Sequence, residues 1–146
     1  MAKATTTKTE KAFDAFTGNA NETMKKSYER SMEMMSEMGE LSKKNLEAVA
    51  ESTRITTKGF EEMGTRAASY SRDAMEKGVE AARSMTGVKS VQEALELQAG
   101  YTKSAFEAYL EEVNAMTGMF ASTMRKASEP LNSQAGSFMN MMQKTA

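Results

Sequence analysis

The sequence contains no cysteine, no histidine and no tryptophan among its 146 residues. Without cysteine there can be no disulfide and no thiolate chemistry, and without histidine the commonest general base and metal ligand are missing. The nine glycines are scattered singly, so no phosphate-binding loop and no dinucleotide-binding glycine motif is present. We therefore predict that the protein is not an enzyme and has no catalytic residue, cofactor or metal site.

An excess of charge of one sign is also missing, because 19 basic and 20 acidic residues are intermixed along the chain and give a net charge of −1. A nucleic-acid-binding protein needs a basic stripe that displaces counterions from phosphates, so nucleic acid is not an expected partner. No apolar run approaches the roughly 18 residues of a membrane span. The first ten residues, MAKATTTKTE, lack the apolar core of a secretory signal. We expect a cytoplasmic protein without a membrane span.

Proline is almost absent, with a single residue at position 130, and no segment alternates in the way that predicts a strand. Apolar residues instead recur with the 3.6-residue period of an amphipathic helix. In the first half of the chain this stripe consists of Met24, Tyr28, Met35, Met38, Leu41, Val49, Ile55, Phe60, Met63, Tyr70 and Met75. Four single glycines in this half, at positions 39, 59, 64 and 78, predict kinks, breaks or fraying near some of them.

Local signals place the ends of two helical arms, predicted at about 22–85 and 91–128. Gly87 suits the left-handed position that ends a helix, and Ser90 with Glu93 forms a capping-box pattern that starts the next one. Pro130 predicts the end of the second arm, because the residue before a proline is biased away from helical geometry. We divide the chain into three parts: a mobile N-terminal tail with a short amphipathic turn (1–20), a helical domain (21–132) and a short Met-rich C-terminal segment (133–146).

The second arm carries a broad apolar stripe that Gln98, Gly100 and Thr102 interrupt. A committed coiled coil prefers a tight seam of Leu and Ile, which this stripe lacks. The predicted fold is all-α, with long amphipathic helices that form a helical hairpin or an elongated coiled-coil-like bundle. Fifteen methionines fit either helix packing or an adaptable adhesive surface, since the thioether side chain is flexible and polarizable. Both interpretations stay open on the pattern alone.

The stretch KSVQEALELQAGYTKSAFEAYLEEVNAM, followed by ASEPLN, resembles the phasin family of polyhydroxyalkanoate granule-associated proteins. The upstream stretch NLEAVAESTRITTKGFEEM is similar to the same family, so the resemblance covers roughly residues 36–132. The positions that match the family pattern are Lys89, Ser90, Gln92, Glu93, Leu97, Gln98, Tyr101, Phe106, Tyr109, Glu129, Pro130, Leu131 and Asn132.

The resemblance implies a non-catalytic helical protein that coats intracellular polyester granules and controls their size, number and coalescence. The implied partner is the polyhydroxyalkanoate granule surface, with self-association from dimer to tetramer and contact with the polymer synthase or depolymerase as further possibilities. We expect a granule-binding or helix-packing face that consists of Val91, Leu95, Leu97, Tyr101, Phe106, Tyr109, Leu110, Val113, Met116 and Phe120. The alternative is a coiled-coil structural or adaptor protein that packs its apolar stripe against partner helices.

Overall fold

The computed structural model describes the backbone of residues 2–145 and the side chains of residues 9–144. Two helices account for nearly all of this range: α1 is Ala2–Thr86 and α2 is Val91–Thr145. Residues 2–145 contain no strand. The all-α class with two long helices, predicted from the periodicity, is therefore confirmed.

The connector between the helices is short. Of the two signals predicted there, the cap at Ser90 is present and the left-handed glycine at position 87 is not. The hydroxyl of Ser90 accepts a hydrogen bond from the backbone N–H of Glu93 at 3.1 Å, so Ser90 caps α2 as predicted. The Glu93 carboxylate in turn accepts a hydrogen bond from the backbone N–H of Lys89 at 3.1 Å. The prediction for Gly87 is wrong, because its φ is not positive. Its N–H donates to the Ser84 carbonyl at 3.3 Å, which closes a tight turn without left-handed geometry.

Helix α2 continues through Pro130 to Thr145, so the predicted end before this proline is wrong. A proline ring removes one N–H donor, and here the acceptor that loses its partner is the Lys126 carbonyl four residues earlier. A single lost hydrogen bond does not end a helix when residues on both sides keep helical geometry. The second arm is thus longer than the sequence predicted.

Helix α1 begins at Ala2, well before the predicted start at Glu22, and passes through Gly18 and Asn19. None of its single glycines breaks it. The glycines lower helix propensity by about 1 kcal/mol each, which the many Ala, Glu, Lys and Met neighbours offset. The mobility predicted for residues 1–20 stays a prediction, and the side chains of residues 1–8 lie outside the described residues.

The chain divides into two units, one up to Leu46 and one from Glu47 onward. The first unit is a segment of α1 whose side chains from Thr9 to Leu46 are exposed, apart from a half-buried Leu41.

The second unit contains the rest of α1 and all of α2, which run antiparallel as a helical hairpin. The direction follows from three contacts, in which the α1 residue number rises while the α2 number falls: Gly59 with Thr123, Arg66 with Glu112, and Gly78 with Tyr101.

Candidate surface-binding face

The two helices of the second unit meet along a line of mostly small side chains, which we call the seam. Its buried residues are Ala48, Gly59 and Met63 on α1 and Thr123 and Ala127 on α2. Within residues 9–144, no large side chain is fully buried. The hairpin therefore holds together while most of its large apolar residues remain exposed.

Gly59 marks the closest approach of the two helices. A Cβ atom placed on Gly59 would lie 2.9 Å from the Thr123 Cβ and would overlap the Thr123 Cγ2 and Oγ1 atoms. At the observed separation of the two helices, only glycine fits at this position. The close contact explains why Thr123 retains only 8% of its accessible surface.

An ion pair crosses the seam between Arg66 on α1 and Glu112 on α2. The Arg66 Nε donates to the Glu112 Oε1 at 2.9 Å. The Glu112 side chain is only 15% exposed, so this pair is better shielded from water than the other ion pairs of the described residues. It fixes the register of the two helices at one point.

Apart from residues such as Met63, most of the large apolar side chains of the hairpin lie beside the seam, and one spacing rule describes many of them. Many of them directly follow a buried or half-buried seam residue: Phe60 follows Gly59, for example, and Met124 follows Thr123. Between Ala48 and Leu131, the exposed large apolar residues with this spacing are Val49, Phe60, Val79, Leu95, Tyr109, Val113, Phe120, Met124 and Leu131.

One residue along a helix corresponds to a rotation of about 100° around the helix axis. In an antiparallel pair, the residue that follows a seam residue therefore points to the same side of the hairpin on both helices. The exposed residues that follow the seam on α1 and those that follow it on α2 therefore share one side of the hairpin. We call this side the apolar face. Its side chains are large and largely unprotected, with Leu95 at 63% exposure and Phe60 at 53%.

The residues that directly precede the seam show the opposite chemistry. They include Lys58 before Gly59 and Lys126 before Ala127. The charged residues of the hairpin with this spacing are Glu47, Arg54, Lys58, Glu62, Lys77, Glu80, Glu93, Glu107, Glu111, Lys126 and Glu129. By the same geometry they lie on the other side of the hairpin, which we call the charged face. The hairpin is thus apolar on one side and charged on the other.

One ion pair beside the seam has near-ideal geometry. Arg54 donates to both carboxylate oxygens of Glu51, from Nε at 2.9 Å and from an Nη atom at 2.6 Å. These hydrogen bonds hold the pKa of the Glu51 carboxyl below its ordinary value. Both groups are accessible to solvent, so the pair contributes little to the stability of the fold.

The structure separates the ten residues that the sequence predicted as one face. Leu95, Tyr109, Val113 and Phe120 lie on the apolar face by the spacing rule, while Met116 is half-buried in the seam. Leu97 and Tyr101 turn toward α1 instead: both line a groove with Gly78 and Ala81, and the Tyr101 hydroxyl lies 3.4 Å from the Cβ position of Gly78. The remaining three, Val91, Phe106 and Leu110, are exposed without following a described seam residue.

The sequence prediction omitted the contribution of α1 to this face, namely Val49, Phe60 and Val79. Val49 and Phe60 were already visible in the periodic stripe of the first arm. Their membership in a shared face depends on knowing which residues form the seam. Small residues such as Gly59 and Ala48 give little signal in a hydrophobic pattern, so the seam was not visible from the periodicity.

The described residues contain no group of three or more Asp, Glu, His or Cys side chains that could hold a metal ion. Within residues 9–144, the helices also lack a stretch apolar enough, over a sufficient length, to cross a bilayer. The prominent chemical feature of this part of the chain is its two-sided surface.

A helical hairpin with one apolar and one charged side defines an amphiphilic all-α protein. The family model described as "Phasin protein" matches residues 36–135, which include the seam residues of both helices. The chain therefore belongs to the phasin family, whose members are structural proteins associated with polyhydroxyalkanoate granules and not enzymes. No curated protein and no solved structure matches the chain.

Proposed function

We propose that the protein coats polyhydroxyalkanoate granules by laying the apolar face of its hairpin on the polymer, with the charged face toward the cytoplasm. In this arrangement the protein limits the coalescence of granules and so controls their size and number. The observation that carries the proposal is the separation of large apolar and charged side chains to opposite sides of the seam.

The apolar face can provide enough free energy for firm adsorption to the polymer. Complete burial of one large apolar side chain is worth roughly 1.5–3 kcal/mol, so the nine spaced residues of the apolar face give on the order of 10 kcal/mol even when each is only half covered. Losses from ordering and from restricted motion reduce this sum. Because a polymer surface has no fixed shape, the contact needs area rather than a defined pocket.

The test compares two variants of the full chain on polyester particles. In the first, four apolar-face residues are replaced by serine: Phe60, Tyr109, Val113 and Phe120. The matched control replaces four charged-face residues by serine: Lys58, Glu107, Glu111 and Lys126. Two positive and two negative charges are removed in the control, so both variants keep the net charge of the parent protein.

We expect the apolar-face variant to lose adsorption by about a hundredfold or more, which corresponds to about 3 kcal/mol, while the control stays within a fewfold of the parent. Far-UV circular dichroism checks that both variants remain helical. Equal adsorption by the two variants would show that this face is not the contact. A parent protein that ignores particles and instead forms a stable complex with another helical chain would support the alternative of a coiled-coil adaptor.

A further inference from the structure

The first unit contains an unusual concentration of methionine, in residues 24–38 of α1, which we call the methionine segment. Five of the fifteen methionines of the chain lie there, and Tyr28 is the one other large apolar residue among them. All five are exposed in the structure, and Met24 and Met35 retain 74% and 75% of their accessible surface. The family match begins at residue 36, so most of this segment lies outside the part of the chain that defines the family.

The methionines of this segment share one side of the helix. At about 100° per residue, Met24, Met35 and Met38 fall with Tyr28 within an arc of roughly 80°. Met32 and Met34 lie about 40° beyond the two edges of that arc, one on each side. The apolar surface of the segment is therefore made mainly of thioethers, whereas Phe, Tyr, Val and Leu predominate on the apolar face of the hairpin.

Thioethers differ from hydrocarbons in that a peroxide can oxidise them. The methionine sulfur gives up two electrons and forms a bond to one peroxide oxygen, the O–O bond breaks, and the other oxygen leaves as water or as an alcohol. The product is methionine sulfoxide, in which a flexible apolar side chain has become polar. The chain has no cysteine thiol that could react first. Exposure favours the reaction at this segment over buried sites such as Met63, which is only 8% exposed.

We propose that the methionine segment is an oxidation site at which peroxides convert an apolar strip into a polar one and so weaken the hold of the protein on an apolar polymer surface. This inference rests on the proposed function, because it assumes that the protein adsorbs to such a surface, and it adds the methionine segment to the contact made by the apolar face. Methionine sulfoxide reductases reverse the modification, so the change acts as a switch.

The site itself is tested on the full-length protein in solution, without particles. The protein is treated with increasing amounts of hydrogen peroxide, and the sulfoxides are located by peptide mass spectrometry. We expect Met24 and Met35 to be oxidised well before Met63, by about tenfold in rate, because solvent exposure controls access to the sulfur. Oxidation of Met63 as early as Met24 and Met35 would overturn the assignment.

The consequence is tested with a variant in which the five methionines of the segment are replaced by leucine, which is apolar and resists peroxide. After oxidation, we expect the parent protein to adsorb to polyester particles about tenfold more weakly and the leucine variant to be nearly unchanged. An equal loss in the variant would assign the effect to methionines elsewhere and overturn the proposal. A second variant with glutamine at the same five positions is expected to behave like the oxidised parent without any treatment.

A further measurement separates this inference from the proposed function. Retention on a phenyl-substituted resin reports the apolar surface of the protein without polyester. If the untreated parent fails to adsorb to polyester, the proposed function fails. Shorter retention of the oxidised parent, with unchanged retention of the leucine variant, would still support the oxidation site, and no difference between them would refute it.

Discussion

At the scale of single residues, Gly59 has the strictest requirement in the hairpin, because a neighbouring side chain occupies the space that a Cβ atom would need. Replacement of Gly59 by alanine gains about 1 kcal/mol of helix propensity but forces the seam apart, at a cost of roughly 1–3 kcal/mol or more. We expect a net loss of stability, measured by urea unfolding followed by circular dichroism.

Gly64 in the same helix provides the matched control. Nothing lies within 4 Å of its Cβ position, so Gly64→Ala is expected to stabilise the protein by up to about 1 kcal/mol. Adding Thr123→Ala to Gly59→Ala removes the two nearest overlapping atoms and should recover part of the lost stability. If the two glycine variants had the same stability, the close approach at Gly59 would be refuted.

Glu112 is the second residue whose place in the seam leads to a stability prediction. Glu112→Gln removes the charge from the ion pair with Arg66 while keeping the size of the side chain. Because the Glu112 side chain is mostly buried, we expect a loss of about 1 kcal/mol in the free energy of unfolding. The neighbouring Glu111→Gln is the control and should change stability by less than about 0.5 kcal/mol. A loss of similar size in both variants would mean that the ion pair stabilises the fold no more than an unpaired surface charge does.

At the scale of whole helices, the periodicity was sufficient to predict that the chain is all-α and that a break falls near residues 86–90. Ser90 and Glu93 predicted the start of α2 correctly because a capping pattern is local. The start of the first arm near residue 22 and the end before Pro130 were predicted wrongly, since each signal describes a local preference that the rest of a long helix can outweigh. The seam was missed for a different reason: it consists mostly of small residues, which contribute little to a hydrophobic pattern.

The helical position of Pro130 leads to a prediction for α2 as an element. Pro130→Ala restores the missing N–H donor and removes the clash of the ring with the preceding turn, which together are worth up to about 3 kcal/mol in a helix interior. We expect the variant to be more helical and to unfold at a higher temperature, as followed by circular dichroism. Ser133→Ala, three residues later on the same helix, controls for the general effect of adding alanine. A lower melting temperature for Pro130→Ala would show that the proline supports α2 in a way that a regular helix cannot replace.

At the scale of the whole molecule, the hairpin is poor in buried apolar surface, since Ala48, Met63 and Ala127 are its buried hydrophobic residues. A surface that covers the apolar face binds the folded hairpin better than the unfolded chain, and it must therefore stabilise the hairpin by mass action. We expect backbone amides in the seam to exchange hydrogen slowly when the protein is bound to polyester particles and at least about tenfold faster when it is free. Hydrogen exchange detected by mass spectrometry measures this directly.

The apolar-face variant should show no such protection on adding particles, whereas the charged-face control should be protected like the parent. Slow exchange in the free protein, unaffected by particles, would mean that the small-residue seam is enough to hold the two helices and that the apolar face serves another partner.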